Sequence, residues 1–123
     1  MKFNLEDSPG SFRISAYAPG WIRVRNTLIE SPCVITPIAI HEDLLPATLE
    51  AINASHFDSL LDLAPEIVIM GTGKQQVFID YNFVQILGRQ NVGLEFMDTG
   101  AACRSFNILI SEGRAVIAAL FMI

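Results

Sequence analysis

Residues 94–123 read LEFMDTGAACRSFNILISEGRAVIAALFMI, and this stretch decides the fold. Leu94–Met97 is a short apolar run, Asp98 and Thr99 form a helix start, and Gly113 stops that helix. Arg114–Phe121 then predicts an eight-residue strand that is apolar after its first residue. A strand with no polar face has to be covered on both faces. The rest of the chain must therefore supply two covering layers.

Working outward, the preceding segments alternate strand and helix. Ile67–Met70 is a continuous apolar run that leaves through Gly71-Thr72-Gly73-Lys74. Val77–Ile79 predicts a short strand, and Phe83, Ile86 and Leu87 mark a helix from Asn82 to Arg89. Such alternation predicts a sheet with parallel neighbours and right-handed crossovers that put helices on its faces. Upstream, Ser55 stands three residues before Asp58 in capping-box spacing, and Phe57, Leu60, Leu61 and Ala64 form one helical stripe that Pro65 ends. Residues 38–53 read as loop with a helical turn near Thr48–Ile52. Phe12–Ala18 alternates as a half-buried strand, Pro19-Gly20 turns it, and Trp21–Arg25 and Leu28–Glu30 flank a tight turn at Asn26-Thr27. This predicts an antiparallel meander. Pro32 and Pro37 bracket Cys33–Ile35, which predicts an edge strand or bulge there.

Composition bounds the function. The 123 residues fit one domain, 1–123. Apolar residues make up 51% and charged ones 17%, against roughly 25% charged in an average soluble domain, so part of the apolar excess is expected to meet a partner. The net charge of −5 comes without a Lys/Arg run, which excludes a phosphate-backbone footprint and hence nucleic acid. Met1–Phe12 carries Glu6 and Asp7 and no apolar core of a leader, so neither a secretory signal nor a transit peptide is expected. The longest apolar run, Ala115–Ile123, has nine residues, where a membrane span needs about 20. Two cysteines, Cys33 and Cys103, are too few and too far apart for a metal ribbon or a redox pair. The cytoplasm is the expected compartment, and no cofactor or metal is expected.

Two places could carry chemistry. Gly71-Thr72-Gly73-Lys74 is either a turn needing positive φ at a glycine or a set of backbone amides lining a small anion site at the carboxyl end of a strand. It lacks the spacing of a phosphate-binding loop. In Asp98-Thr99-Gly100-Ala101-Ala102-Cys103-Arg104, Thr99 reads as the N-cap, leaving amides free for an anion or to activate the Cys103 thiol. Cys103 also shares a helical face with Phe106 and Ile110, where it would pack as a small hydrophobe. Arg104 poorly complements the helix dipole, so either a structural carboxylate or an acidic ligand should offset it. Glu112-Gly113-Arg114 reads as a helix end. His41-Glu42-Asp43 does not present a metal-ligand spacing, and no serine sits in a nucleophile motif.

The same residues carry a resemblance. Gly71-Thr72-Gly73 after an apolar strand, residues 93–99 (GLEFMDT), residues 101–107 (AACRSFN) and residues 112–120 (EGRAVIAAL) together resemble the small Mth-type domain family of uncharacterised proteins. That family is similar to a mitochondrial assembly factor for respiratory complex I and to an adipogenesis-associated protein. The resemblance implies a three-layer α/β domain around a central mixed sheet, with the last strand antiparallel to its neighbours. It also implies no established enzymatic activity.

Two functions follow. One is a protein-binding or assembly-factor module that presents apolar surface, including Phe121-Met122-Ile123, to a protein such as a respiratory-complex subunit or a second copy of the chain. The other is a small-anion-binding domain or enzyme with Gly71, Thr72, Gly73, Asp98, Thr99, Cys103 and Arg104 around one cleft.

Overall fold

A computed structural model describes residues 12–123, so the expectation about the leader lies outside the described residues, save Phe12. In chain order the elements are β1 (Ile14–Ala18), β2 (Trp21–Val24), β3 (Thr27–Ile29), β4 (Cys33–Ile35), β5 (Ile40–His41), a 3-10 turn (Leu49–Ala51), α1 (Ala54–Leu61), β6 (Ile67–Gly71), α2 (Tyr81–Gly88), β7 (Gly93–Met97), α3 (Thr99–Ser111) and β8 (Val116–Leu120). β1, β2 and β3 form the antiparallel meander, and a five-stranded sheet runs β5-β4-β8-β6-β7.

β8 lies in the middle of that sheet and all five of its residues are buried. Because strand side chains alternate between faces, it feeds two cores. Val116, Ala118 and Leu120 join Cys33, Ile35 and Ile69 on one face, under Ala102, Cys103 and Phe106 of α3 and Ile14, Ile22, Val24 and Ile29 of the meander. Ile117 and Ala119 join Val34, Val68 and Met70 on the other, under Phe57 and Leu60 of α1 and Leu87 of α2. The result is a three-layer mixed α/β domain. Each enclosed Leu, Ile or Phe contributes about 1.5–3 kcal/mol of transfer free energy.

Several expectations give way to tertiary constraints. β8 is parallel to β6 but antiparallel to β4, so the implied antiparallel pairing holds on one side only. Cys33–Ile35 is an interior strand between β5 and β8, because Pro32 and Pro37 fall just outside the paired residues and interrupt no ladder bond. β5 lies inside the segment read as loop. The last strand begins two residues later than expected. Arg114 and Ala115 instead engage Glu66, whose carboxylate accepts from the Ala115 N–H at 3.2 Å and from Arg114 Nε at 3.1 Å. Those bonds, the backbone one first, hold the exposed Glu66 carboxyl below its usual range.

Val77–Ile79 forms no strand. Its Val77 N–H is taken by the Thr72 hydroxyl at 3.0 Å rather than by a ladder. Ser55 is already helical, and the cap of α1 is Asn53, whose side chain accepts from the Ser55 N–H at 2.9 Å while His56 Nδ1 accepts from the Asn53 N–H at 2.9 Å. α1 stops at Leu61, and Ala64, at φ +55°, lies off its stripe. Phe121 is buried and Met122 and Ile123 are half-buried, so the C-terminal residues are no exposed apolar tail.

Gly71 ends β6 where α3 crosses it. A Cβ there would stand 2.9 Å from Leu120 Cδ2, 2.9 Å from Thr99 Oγ1 and 3.0 Å from the Thr99 Cα. Backbone cannot yield as a side chain can. Gly71→Ala is therefore expected to lower the unfolding free energy by roughly 1–3 kcal/mol, read as a drop in denaturant midpoint; an unchanged midpoint would mean that α3 is free to back away.

Candidate functional site

The Gly71–Gly73 turn and the start of α3 do meet, and the residue that joins them is Thr99. Its hydroxyl accepts from the Gly73 N–H at 2.8 Å and donates to the Phe121 carbonyl at 2.6 Å. Its own N–H donates to the Gly73 carbonyl at 2.8 Å. Thr99 is fully buried, so this hydroxyl ties the turn, the helix start and the end of β8 together out of contact with water. It is not the N-cap. That role belongs to Asp98, whose side chain accepts from the Ala101 N–H at 2.9 Å; Thr99 is already helical and its side chain turns inward.

Thr72 closes the same turn from the other side. Its hydroxyl donates to the Gln75 carbonyl at 2.6 Å and accepts from the Val77 N–H, while its N–H reaches the Met97 carbonyl at 2.8 Å. Gly73 takes the positive φ, +106°; Gly71 is a glycine for space instead. The amides of Thr72, Gly73, Thr99 and Ala101 are thus all engaged within the chain. An anion would find few donors at this rim, and the small-ligand reading of it is not favoured.

Cys103 leaves the rim altogether. It is enclosed in the core with Phe106 and Ala102, and burial, partly opposed by Arg104, pushes its thiol up to about 12. Cys33 is likewise pushed up to about 12, first by burial and then by Cys103 and Glu42. Neither forms a disulfide. Arg104 donates to the Tyr17 hydroxyl of β1, so the group that answers it is a phenol and not a carboxylate. Arg104 lines a cavity whose other lining residues exclude the whole 71–73 turn. Among the described residues no three of His, Cys, Asp and Glu gather as a metal site would require.

Two surface features were not legible in the chain. The first surrounds the free edge of β7, where Phe78 is 75% exposed, Tyr81 68% and Val77 42%. Phe78 and Tyr81 border a hollow of about 460 Å³ with Gln76, Ile79, Val84, Leu94, Glu95 and Phe96. Gln76 Nε2 donates to the Phe96 carbonyl at 2.8 Å, and the Phe78 ring meets Phe96 edge-on at 6.1 Å. The apolar run Val77-Phe78-Ile79 disguised this strip as strand. The second is an apolar groove of about 450 Å³ beside Ile38, itself 78% exposed, where residues 36–39 face Leu63–Pro65 and Ala115–Ile117.

Thr99→Val keeps the shape but strands the Gly73 N–H and the Phe121 carbonyl, at roughly 1–3 kcal/mol for each buried orphan; Thr99→Ser should lose about 1 kcal/mol or less. Denaturation of the two variants side by side checks this, and equal losses would mean that the hydroxyl does not matter. The cysteines give a pH test. Their folded pKa lies above the ordinary value of 9.0, so the stability they contribute is complete below pH 9 and lost as pH rises toward 12. Stability measured from pH 8 to 11 should fall across that window, and thiol reagents at pH 8 should label the native protein no faster than it opens.

The family model described as "Protein of unknown function (DUF498/DUF598)" matches residues 14–121. Among curated proteins, the chain is 30% identical over 121 residues to the Xenopus tropicalis protein named NADH dehydrogenase [ubiquinone] 1 alpha subcomplex assembly factor 3, covering 93% of this chain and 63% of that one. It is 31% identical over 68 residues to a Francisella tularensis "13 kDa major membrane protein", covering 55% of each. The chain thus spans less than two thirds of these relatives' length. Among solved structures, a Bordetella parapertussis protein superposes with a TM-score of 0.84 at 31% identity, over 94% of this chain and 100% of that one. A Bordetella pertussis protein described as a Mth938-like domain gives 0.83 at 28% identity, over 99% of this chain and 92% of that one. Among the described residues, no helix is long and apolar enough to cross a membrane. A match that takes in every strand and helix described above settles the kinship: this chain belongs to the DUF498/DUF598 family of Mth938-like domains.

Proposed function

We propose that the domain is a non-enzymatic protein-binding module of the assembly-factor kind, and that it docks through the apolar strip beside β7. The observation that carries this reading is the clustering of Val77, Phe78 and Tyr81, large and exposed, next to the edge of the main sheet. Exposed aromatic side chains of this kind are the usual anchors of protein interfaces, and contiguous apolar patches mark interaction sites. The low charged fraction of 17% agrees with surface reserved for a partner. The relatives named as assembly factors make subunits of a respiratory NADH dehydrogenase the first partners to try. A second copy of the chain is the other.

Phe78→Asp with Tyr81→Asp changes only exposed positions and should leave the fold intact. In cross-linking and affinity purification, wild type is expected to retain a stoichiometric protein partner that the double variant loses, by about 100-fold if both side chains are anchors of roughly 1–2 kcal/mol each or more. The purified pair should then re-form in solution. A protein that stays monomeric and partnerless, or a double variant that holds its partner as well as wild type, would sink the proposal.

A further inference from the structure

The polar face of α3 meets the start of β1 over a cavity of about 350 Å³ lined by Arg13, Arg104, Asn107, Ile108 and Ser111. Positions 104, 107, 108 and 111 share one helix face by their three- and four-residue spacing. Asn107 brings Arg13 beside them. Its side chain accepts from the Ile14 N–H at 2.8 Å and donates to the Ile14 carbonyl at 2.8 Å, as a paired strand would. Arg13 Nη1 makes a long bond of 3.4 Å to the Asn107 carbonyl, and its Nε is buried with no hydrogen-bond partner. Arg104 donates to the Tyr17 hydroxyl. The Ser111 hydroxyl donates to the Ile108 carbonyl at 2.6 Å, which leaves the two guanidiniums as the charged donors lining the cavity.

Neither arginine pairs with a carboxylate among the described residues. Among the described residues the ion pair is Arg114 with Glu66, although acidic groups outnumber basic ones in the chain, 13 to 8. Two cations left facing one cavity repel. One bound oxyanion relieves that repulsion, since a guanidinium fork matches the two oxygens of a carboxylate. Ile108, 59% exposed, gives the same cavity an apolar wall.

We propose that this cavity binds a carboxylate carried on an aliphatic arm, with Arg13 and Arg104 gripping the oxygens and the arm lying on Ile108. The site is separate from the β7 strip and requires nothing of it.

The test is an NMR titration of the whole chain with three probes at constant ionic strength: N-acetyl-leucine, its neutral amide, and inorganic phosphate. N-acetyl-leucine is expected to shift the Arg13 and Arg104 Nε–H signals and the amides of residues 104–111 in a saturable way, with the amide silent and phosphate weaker. Arg13→Gln and Arg104→Gln should each weaken binding by about tenfold or more, as loss of one charge-assisted pair does. The wild-type arginine signals decide the matter even if a variant fails to fold. Three results would overturn the proposal: no saturable shift, an amide that binds as well as the acid, or phosphate that binds equally well at the same signals.

Discussion

Val116–Leu120 has no polar side chain and sits between two other strands, so water has to be kept from both of its faces. The period-two geometry of a strand then divides its side chains between two separate cores. On one face the small Ala118 lies under Ala102 and Cys103 of α3, with the meander closing the outside. On the other, Ala119 lies under the pair α1 and α2, where Phe57 and Phe83 stack at 4.5 Å. Small residues at the centre of the sheet let helices approach closely while larger neighbours fill the flanks. The three-layer arrangement follows from this one strand.

A second constraint holds the carboxyl ends of β6 and β8 to the start of α3. The Thr99 side chain serves two chain segments at once, because it can accept one hydrogen bond and donate another. With Thr72 doing the same on the opposite side of the turn, the Gly71–Gly73 loop satisfies its own backbone. A loop that spends its amides on itself has few left for a ligand. The glycines there serve packing and chain reversal, and the helix behind them is capped by Asp98.

What the fold leaves over lies elsewhere on the surface. The residues that follow the turn run along the edge of β7 with three large side chains in water, and the polar face of α3 pairs with the start of β1 around two arginines that no carboxylate among the described residues answers. The arginine cavity is built on α3, whereas Val77 and Phe78 of the strip lie on the irregular segment before α2 and rest against the edge of β7.

The sequence by itself determined the strand-helix-strand unit from Leu94 to Leu120, the buried run before Gly71, the meander and the two flanking helices. Each of these rests on the period of apolar residues or on a local glycine, proline or cap, and such signals act over a few residues. It did not determine that Thr99 turns inward or that Cys33–Ile35 is interior, since each depends on what packs against it; the choice of Asn53 over Ser55 as the cap of α1 is a local one, made by bonds among residues 53–56. Val77–Ile79 is apolar like a short strand, yet the turn before it captures the Val77 N–H, and the segment lies against the edge of β7 without forming a ladder. The arginine cavity joins residues from opposite ends of the chain, so no local pattern could announce it. Only the folding of β1 onto α3, through the Asn107 side chain, put those two charges in one place.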